Sequence, residues 1–154
     1  MKLLEEFSKL VKEFEKEGLQ YALCGGLAMA VHAFPRATMD IDILIEPETL
    51  EKTKKIANYL GFEFDTGLME FAGGSIQIYR LTKILADSSE PLMLDMLLLT
   101  EEIKDVWESK QILSWEEGKI PVVSPEGLIK LKSMRSSGQD LDDIEKLKGI
   151  NNES

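Results

Sequence analysis

Two aspartates one residue apart, Asp40 and Asp42, lie inside an apolar run of the chain. If residues 39–45 form a strand, its side-chain period of two places both carboxylates on one face, with their Cα atoms roughly 6–7 Å apart. At an effective dielectric of about 20, two such anions repel each other by about 2–3 kcal/mol, so a fold keeps them only with compensation. A divalent metal ion is the usual compensation. The pair therefore predicts a strand that carries a metal site, and the alternative is a solvated edge strand.

A pair of glycines, Gly25-Gly26, precedes these acids with thirteen residues between them. The glycines follow an apolar run that predicts a strand over residues 19–24, and they precede a predicted short helix over residues 27–34. At such a junction glycine lets the backbone approach a phosphate closely, and the first N–H groups of the helix attract an anion. Glycine pairs also mark ordinary tight turns, so both interpretations stay open for the pair taken alone.

A third acid, Asp95, is the sole charge in an otherwise apolar run over residues 92–99. A buried carboxylate without a partner is costly, so Asp95 requires one. We expect that partner to be a metal cluster shared with Asp40 and Asp42, provided that the two strands are neighbours. Three carboxylates of this kind suit two Mg²⁺ ions roughly 3.5–4 Å apart, which activate a hydroxyl and stabilise a phosphoryl transition state.

The remaining pattern alternates helices and strands. Apolar periodicity and glycine or proline stops predict further helices over residues 3–17, 48–60, 101–107, 125–135 and 140–147. They predict further strands over residues 62–65, around 76–80, and over 112–115 and 120–123. Ser124 followed by Pro125 is a good start for the helix over 125–135, because serine caps and proline suits the first turn.

The segment from Gly25-Gly26 to Asp40-Ile41-Asp42 resembles the signature of the DNA polymerase beta-like nucleotidyltransferase superfamily. That signature consists of an apolar residue, a glycine pair or Gly-Ser, a short helix and then two acids on a strand. Asp95 matches the third acid of the superfamily, which lies on a later strand.

The likeness extends to a smaller group within the superfamily. Arg36 and Thr38, just before the acids, resemble the small bacterial and archaeal nucleotidyltransferases, a group with abortive-infection-type toxins and aminoglycoside-modifying relatives. Residues 123–147 look like the C-terminal helices of that group. The resemblance implies an α/β (α+β) fold, in which a mixed β-sheet is flanked by helices.

The resemblance also implies an activity and its cofactors. Members transfer a nucleoside monophosphate from a nucleoside triphosphate, such as ATP, to a hydroxyl acceptor and release pyrophosphate. By resemblance Asp40 and Asp42 bind two Mg²⁺ ions, with Mn²⁺ as an alternative, and Asp95 binds one ion and helps to activate the acceptor. All three are therefore the expected catalytic and metal-binding residues.

Gly25 and Gly26 are the first candidates to bind the nucleotide, and three further residues join them: Arg36, Thr38 and Lys83. Lys83 follows a strand, from which its ammonium group could contact a triphosphate. Three basic residues of the predicted helix over 125–135 are further candidates, with solvated charge as the alternative: Lys130, Lys132 and Arg135.

Composition excludes several other functions. The formal net charge of −10 argues against broad, sequence-independent binding to nucleic acid, which depends on Lys and Arg. A single cysteine, Cys24, and a single histidine, His32, cannot form an internal disulfide, a zinc motif or a His-based metal site, so any metal must be bound by oxygen. No apolar stretch reaches the ~20 residues of a membrane span, and the charged N-terminus does not resemble a secretory signal, so we expect a cytoplasmic protein.

The length of 154 residues predicts one nucleotidyltransferase-like domain over residues 1–154. Such a chain has little room for a separate substrate domain. We therefore expect the acceptor, whether RNA, protein or a small molecule, to be docked by a second subunit of a homodimer or by a partner protein. The alternatives are a catalytically inactive nucleotide-binding or toxin–antitoxin partner with the same fold, and a structural protein whose acids face water.

Overall fold

A computed structural model describes residues 2–32, 40–86 and 89–135, together with Ile144, Glu145, Leu147 and Lys148. Within these residues the helices are α1 (Lys2–Lys16), α2 (Gly25–Val31), α3 (Leu50–Tyr59), α4 (Lys104–Glu108) and α5 (Pro125–Arg135). The strands are β1 (Ala22–Cys24), β2 (Asp40–Ile45), β3 (Phe64–Phe71), β4 (Ile76–Ile84), β5 (Pro91–Leu98), β6 (Gln111–Trp115) and β7 (Gly118–Val122). None of the described helices is long and apolar enough to cross a membrane.

The first helix has the buried apolar face that its sequence predicts, with Phe7 and Phe14 almost completely buried. Gly18, with φ +67°, ends it, and the N–H of Leu19 then bonds to the carbonyl oxygen of Phe14 at 2.9 Å. Because Leu19 takes part in this helix end, the strand predicted over residues 19–24 is shorter in the structure and begins at Ala22.

The seven strands form one mixed sheet in the order β3-β4-β5-β2-β1-β7-β6. Two neighbouring pairs are parallel, β2 with β5 and β1 with β7, and the other neighbouring strands are antiparallel. This architecture confirms the predicted mixed sheet flanked by helices. It also places β2 and β5, which carry the three acids, side by side near the middle of the sheet.

The two faces of the sheet differ in character. Along β2 the isoleucines Ile41, Ile43 and Ile45 point to one face and are fully buried in the core. Asp40 and Asp42 alternate with them and therefore point to the other side, which we call the acid face. The buried face forms most of the core, whereas the acid face carries a cleft beside α5.

The outer hairpin, β3–β4, is the largest departure from the predicted elements. A strand was expected only over residues 62–65, whereas β3 runs from Phe64 to Phe71 through Gly67, with a bulge between Asp65 and Gly67. As the edge strand of the sheet, β3 exposes most of its side chains, including Phe64 and Phe71. It therefore lacks the alternation of apolar and polar residues by which sequence analysis recognises a strand.

The other helices begin and end close to the predicted residues. The helix over 27–34 is α2 in the structure; it begins two residues earlier, at Gly25, and residues 33–34 lie outside the described part of the chain. The helices over 48–60 and 101–107 each open with a short 3₁₀ turn, Pro47–Thr49 and Glu101–Ile103. The last helix, over residues 140–147, falls almost wholly outside the described residues.

Candidate active site

The three acids meet on one face of the sheet because β2 and β5 are parallel neighbours. Asp42 is the register partner of Asp95, and Asp40 is the partner of Met93. Register partners on adjacent strands point their side chains to the same side, and the strands lie roughly 5 Å apart. Asp95 is buried, and Asp40 and Asp42 are half-buried. The structure thus confirms that the two acid-bearing strands are neighbours.

Burial and neighbouring negative charge both act on Asp42. Its pKa is raised from 3.8 to about 7, first by burial and then by the carboxylates of Asp95 and Asp40. The positive charges of Arg135 and Lys132 act in the opposite direction. Asp42 therefore exchanges its proton near neutral pH, and a further cation beside it would be stabilising.

Gly25 lies directly against this acid. Its φ is +67°, and a Cβ atom at this position would overlap the carboxylate of Asp42. Cys24, the preceding residue, is the register partner of Asp42 on the antiparallel strand β1. The first glycine of the pair is therefore required by the close approach of α2 to the acids, and the second, Gly26, is buried within α2.

Helix α5 supplies positive charge on the same side. Lys132 and Arg135 line a small cleft together with Gly25, Asp42 and Asp95, and Lys132 is only 5% exposed. Apolar side chains complete the lining: Ile76, Ile78, Leu97, Leu128 and Leu131. The lining of the cleft thus combines two acids, two basic side chains and a set of apolar side chains.

The start of α5 shows how the sequence places these basic groups. The N–H of Gly127 donates to the Ser124 hydroxyl oxygen at 3.1 Å, so the predicted serine cap is present. Lys130 lies on a different side of the helix, where its Nζ donates to Asp105 at 2.7 Å. Of the three basic residues of this helix, only Lys132 and Arg135 face the cleft.

Arg80 is the site residue that the sequence analysis missed. Its Nε donates to Asp95 Oδ1 at 2.7 Å and its Nη2 to Asp95 Oδ2 at 2.9 Å. The partner expected for Asp95 was a metal cluster, and the partner found is this arginine. Arg80 is the register partner of Asp95 across the β4–β5 hairpin, so the pairing of the two strands brings them together. In the sequence, the sign that Asp95 needs a charged partner is its position as the sole charge in an apolar run.

Lys83 was expected at the nucleotide but lies elsewhere. It is three residues beyond Arg80 on β4, so its side chain leaves the opposite face of the sheet. There its Nζ donates to Glu6 Oε2 at 2.8 Å and to the Leu60 carbonyl oxygen at 2.9 Å. We therefore remove Lys83 from the candidate site. The other two proposed nucleotide contacts, Arg36 and Thr38, lie outside the described residues.

The donor set fits a divalent cation in its chemistry, with one complication. Asp40 and Asp42 offer carboxylate oxygens in a region where burial and neighbouring negative charge raise the pKa of Asp42, which is the environment that such a cation relieves. In the described part of the chain, however, no three acidic, histidine or cysteine side chains are already arranged as a metal cluster. Asp95 makes two bonds to Arg80, so a cation must share or displace that arginine to reach it.

Comparison with known proteins agrees with the chemistry of this cleft. Residues 1–129 match the sequence profile of a family described as "Uncharacterised nucleotidyltransferase". That range includes the glycine pair and all three acids, whereas Lys132 and Arg135 follow it. A comparison with curated protein sequences finds no match.

Several solved structures share the fold. A proposed nucleotidyltransferase of Thermotoga maritima, TM1012, is 20% identical, with a TM-score of 0.62 over 99% of this chain and 94% of that one. The complex of ANT(2'')-Ia with adenylyl-2''-tobramycin is 13% identical, with a TM-score of 0.67 over 96% and 88%. JHP933 of Helicobacter pylori is 16% identical, with a TM-score of 0.52 over 93% and 63%. At these identities the likeness establishes the fold alone.

Proposed function

The chain belongs to this family of uncharacterised nucleotidyltransferases, and from that membership we propose that it uses the acid-face cleft for metal-dependent transfer of a nucleoside monophosphate to a hydroxyl group. The observation that carries the proposal is the meeting of Asp40, Asp42 and Asp95 on one face, with two basic groups of α5 on the same cleft. Phosphoryl transfer uses acidic side chains that hold cations and positively charged side chains that hold phosphates.

The acids have the first role. Asp40 and Asp42 would hold two divalent cations, Mg²⁺ or Mn²⁺, and Asp95 would hold one of them. When bound, such cations stabilise negative charge on the reacting phosphate and lower the pKa of an attacking hydroxyl. The raised pKa of Asp42 supports this assignment: burial is its largest cause and the carboxylates of Asp95 and Asp40 add to it, so a cation beside Asp42 would be favourable.

The other residues bind and orient the substrate. Lys132 and Arg135 would contact the β- and γ-phosphates, and Gly25 leaves the backbone of α2 close to the acids. In the reaction the acceptor oxygen bonds to the α-phosphorus while the bond from that phosphorus to the pyrophosphate oxygen breaks. Pyrophosphate leaves with the electron pair, and the hydroxyl proton passes to Asp95.

The donor and the acceptor follow from the same proposal. ATP is the first donor to test, since the fold resembles that of a protein crystallised with adenylyl-2''-tobramycin. Candidate acceptors are the hydroxyl groups of RNA, proteins and small molecules. We propose that a second copy of the chain or a partner protein provides part of the surface that docks the acceptor.

The test combines binding with transfer. Calorimetry with ATP, GTP, CTP and UTP should detect binding of at least one triphosphate only when Mg²⁺ is present. Incubation with the same nucleotides labelled at the α-phosphate and fractionated host lysate should then label one class of acceptor. Asp42→Asn should lower labelling by about 100-fold or more, because it removes a charged ligand of the cations.

Lys130→Gln is the matched control, because Lys130 lies on α5 but faces Asp105 instead of the cleft. It should label acceptor at the wild-type rate. Absence of metal-dependent binding for all four triphosphates would overturn the proposed activity. Equal labelling by Asp42→Asn and the wild type would overturn the assigned role of the acids.

A further inference from the structure

We propose that Arg80 competes with divalent cations for Asp95, so that Asp95 binds a lone cation poorly and ligates a cation that arrives together with the nucleotide. The inference rests on the proposed function and assigns Arg80 a role in it. Its starting point is the pair of hydrogen bonds, 2.7 and 2.9 Å long, in which the guanidinium group engages both oxygens of Asp95.

The sheet itself positions Arg80 for these two hydrogen bonds. Arg80 and Asp95 are direct register partners on β4 and β5, so the pairing of these two strands is enough to bring the arginine to the acid. The Asp95 side chain is 8% exposed and the Arg80 side chain 30% exposed. The carboxylate is thus held in place, whereas the guanidinium group has an open side from which it can turn away.

Charge explains why a lone cation is disfavoured at Asp95. Arg80 acts electrostatically on all three acids, and Lys132 and Arg135 act on Asp42, so three acids already face three basic groups. A cation on Asp95 would lie close to the guanidinium group, and the two positive charges would repel each other. The cation must therefore displace Arg80 or bind weakly beside it.

A nucleoside triphosphate changes this balance. Its phosphate oxygens offer Arg80 an alternative partner, since arginine binds phosphate with the same paired geometry that it uses for carboxylate. Once Arg80 turns to a phosphate, Asp95 can ligate the cation that accompanies it. Cation and nucleotide should then strengthen each other's binding by the same factor, because such coupling is reciprocal.

The experiment measures Mn²⁺ binding from the electron paramagnetic resonance signal of the unbound ion, which needs no catalysis. The wild type should bind Mn²⁺ alone weakly. The α,β-methylene analogues of ATP, GTP, CTP and UTP, added in turn, should include one that strengthens Mn²⁺ binding by about tenfold or more. Arg80→Gln should bind Mn²⁺ alone about tenfold more tightly than the wild type and lose most of that coupling.

Two variants keep the result interpretable. Arg80→Lys retains the charge but loses the paired geometry, so its Mn²⁺ affinity should lie between those of the wild type and Arg80→Gln; it carries the test if the glutamine variant does not fold. Lys130→Gln should match the wild type in every measurement.

The outcomes separate this proposal from the proposed function. If the Arg80 variants bind Mn²⁺ alone no more tightly than the wild type, or more weakly, Arg80 orients Asp95 and does not compete for it, and the proposal is overturned. If they bind Mn²⁺ more tightly but no analogue binds any protein, the competition is supported and the proposed function fails.

Discussion

At the residue scale, Gly25 has no room for a side chain. Its φ of +67° disfavours any L-residue, and a Cβ atom would overlap the Asp42 carboxylate. Gly25→Ala should therefore force β1, α2 or Asp42 to move. We expect a loss of about 2–4 kcal/mol in the free energy of unfolding, combining backbone strain with overpacking. Urea denaturation monitored by circular dichroism measures it.

Gly18→Ala is the matched control for this prediction. Gly18 has the same φ of +67°, but a Cβ atom there would meet nothing within 4 Å. The Gly18→Ala variant should therefore lose about 1 kcal/mol in the free energy of unfolding, from backbone strain alone. Equal losses for the two variants would contradict the assigned contact between Gly25 and Asp42.

Asp42 makes the stability of the protein depend on pH in an unusual direction. The folded protein holds the Asp42 proton up to about pH 7, whereas an ordinary aspartate releases it near 3.8. Between these values the folded state binds more protons, so the free energy of unfolding should fall as pH rises, by at most about 1.4 kcal/mol per pH unit. In EDTA, Asp42→Asn should therefore be more stable than the wild type near pH 8 and should approach it near pH 4.

Asp65→Asn provides a control with the opposite sign. A hydrogen bond from Tyr79 lowers the pKa of Asp65, so its contribution to stability is present at neutral pH and is lost as pH falls. The two variants should thus depart from the wild type in opposite directions near neutral pH. A destabilised Asp42→Asn near pH 8 would contradict the electrostatic description of the site.

At the scale of single elements, α5 divides its basic residues between two surfaces. Lys132 and Arg135 line the cleft, whereas Lys130 bonds to Asp105. We predict that Lys132→Met and Arg135→Gln each raise the dissociation constant for the metal–nucleotide complex by about tenfold or more, because each removes a charge-assisted phosphate bond. Isothermal titration calorimetry measures this constant, and thermal denaturation checks that each variant is folded.

The same helix provides the internal comparison. Lys130→Gln removes a positive charge from α5 but leaves the cleft unchanged, so its dissociation constant should stay within a factor of about two of the wild-type value. If all three variants weaken binding equally, the total charge of the helix attracts the nucleotide, and the assigned contacts of Lys132 and Arg135 are wrong.

At the scale of the whole molecule, strand order decides which residues become neighbours. Asp42 and Asp95 are far apart in the chain, and the parallel pairing of β2 with β5 brings them side by side. The antiparallel pairing of β4 with β5 then adds Arg80. A site assembled in this way depends on the sheet as a unit, because a shift of one residue in either register would turn the acid or the arginine to the buried face.

Local patterns in the sequence determined much of this protein. The buried face of α1, the acid-bearing alternation of β2 and the Ser124 cap of α5 follow from side-chain period and capping chemistry, and all three are present in the structure. The glycine pair and the acids, through their spacing, also indicated the superfamily. These features could be predicted because each depends on residues close together in the chain.

Only the tertiary structure decided which charges meet. Lys83 and Arg80 lie on the same strand, three residues apart, so their side chains point to opposite faces of the sheet. Lys83 therefore bonds to Glu6 and Arg80 to Asp95. The edge strand β3 likewise depends on pairing with β4, because its exposed side chains carry no periodic signal. Contacts of this kind depend on which strands pair and in which register, because a shift of one residue turns every side chain of a strand to the other face. The acids were therefore predictable as a group, and the arginine that holds one of them was not.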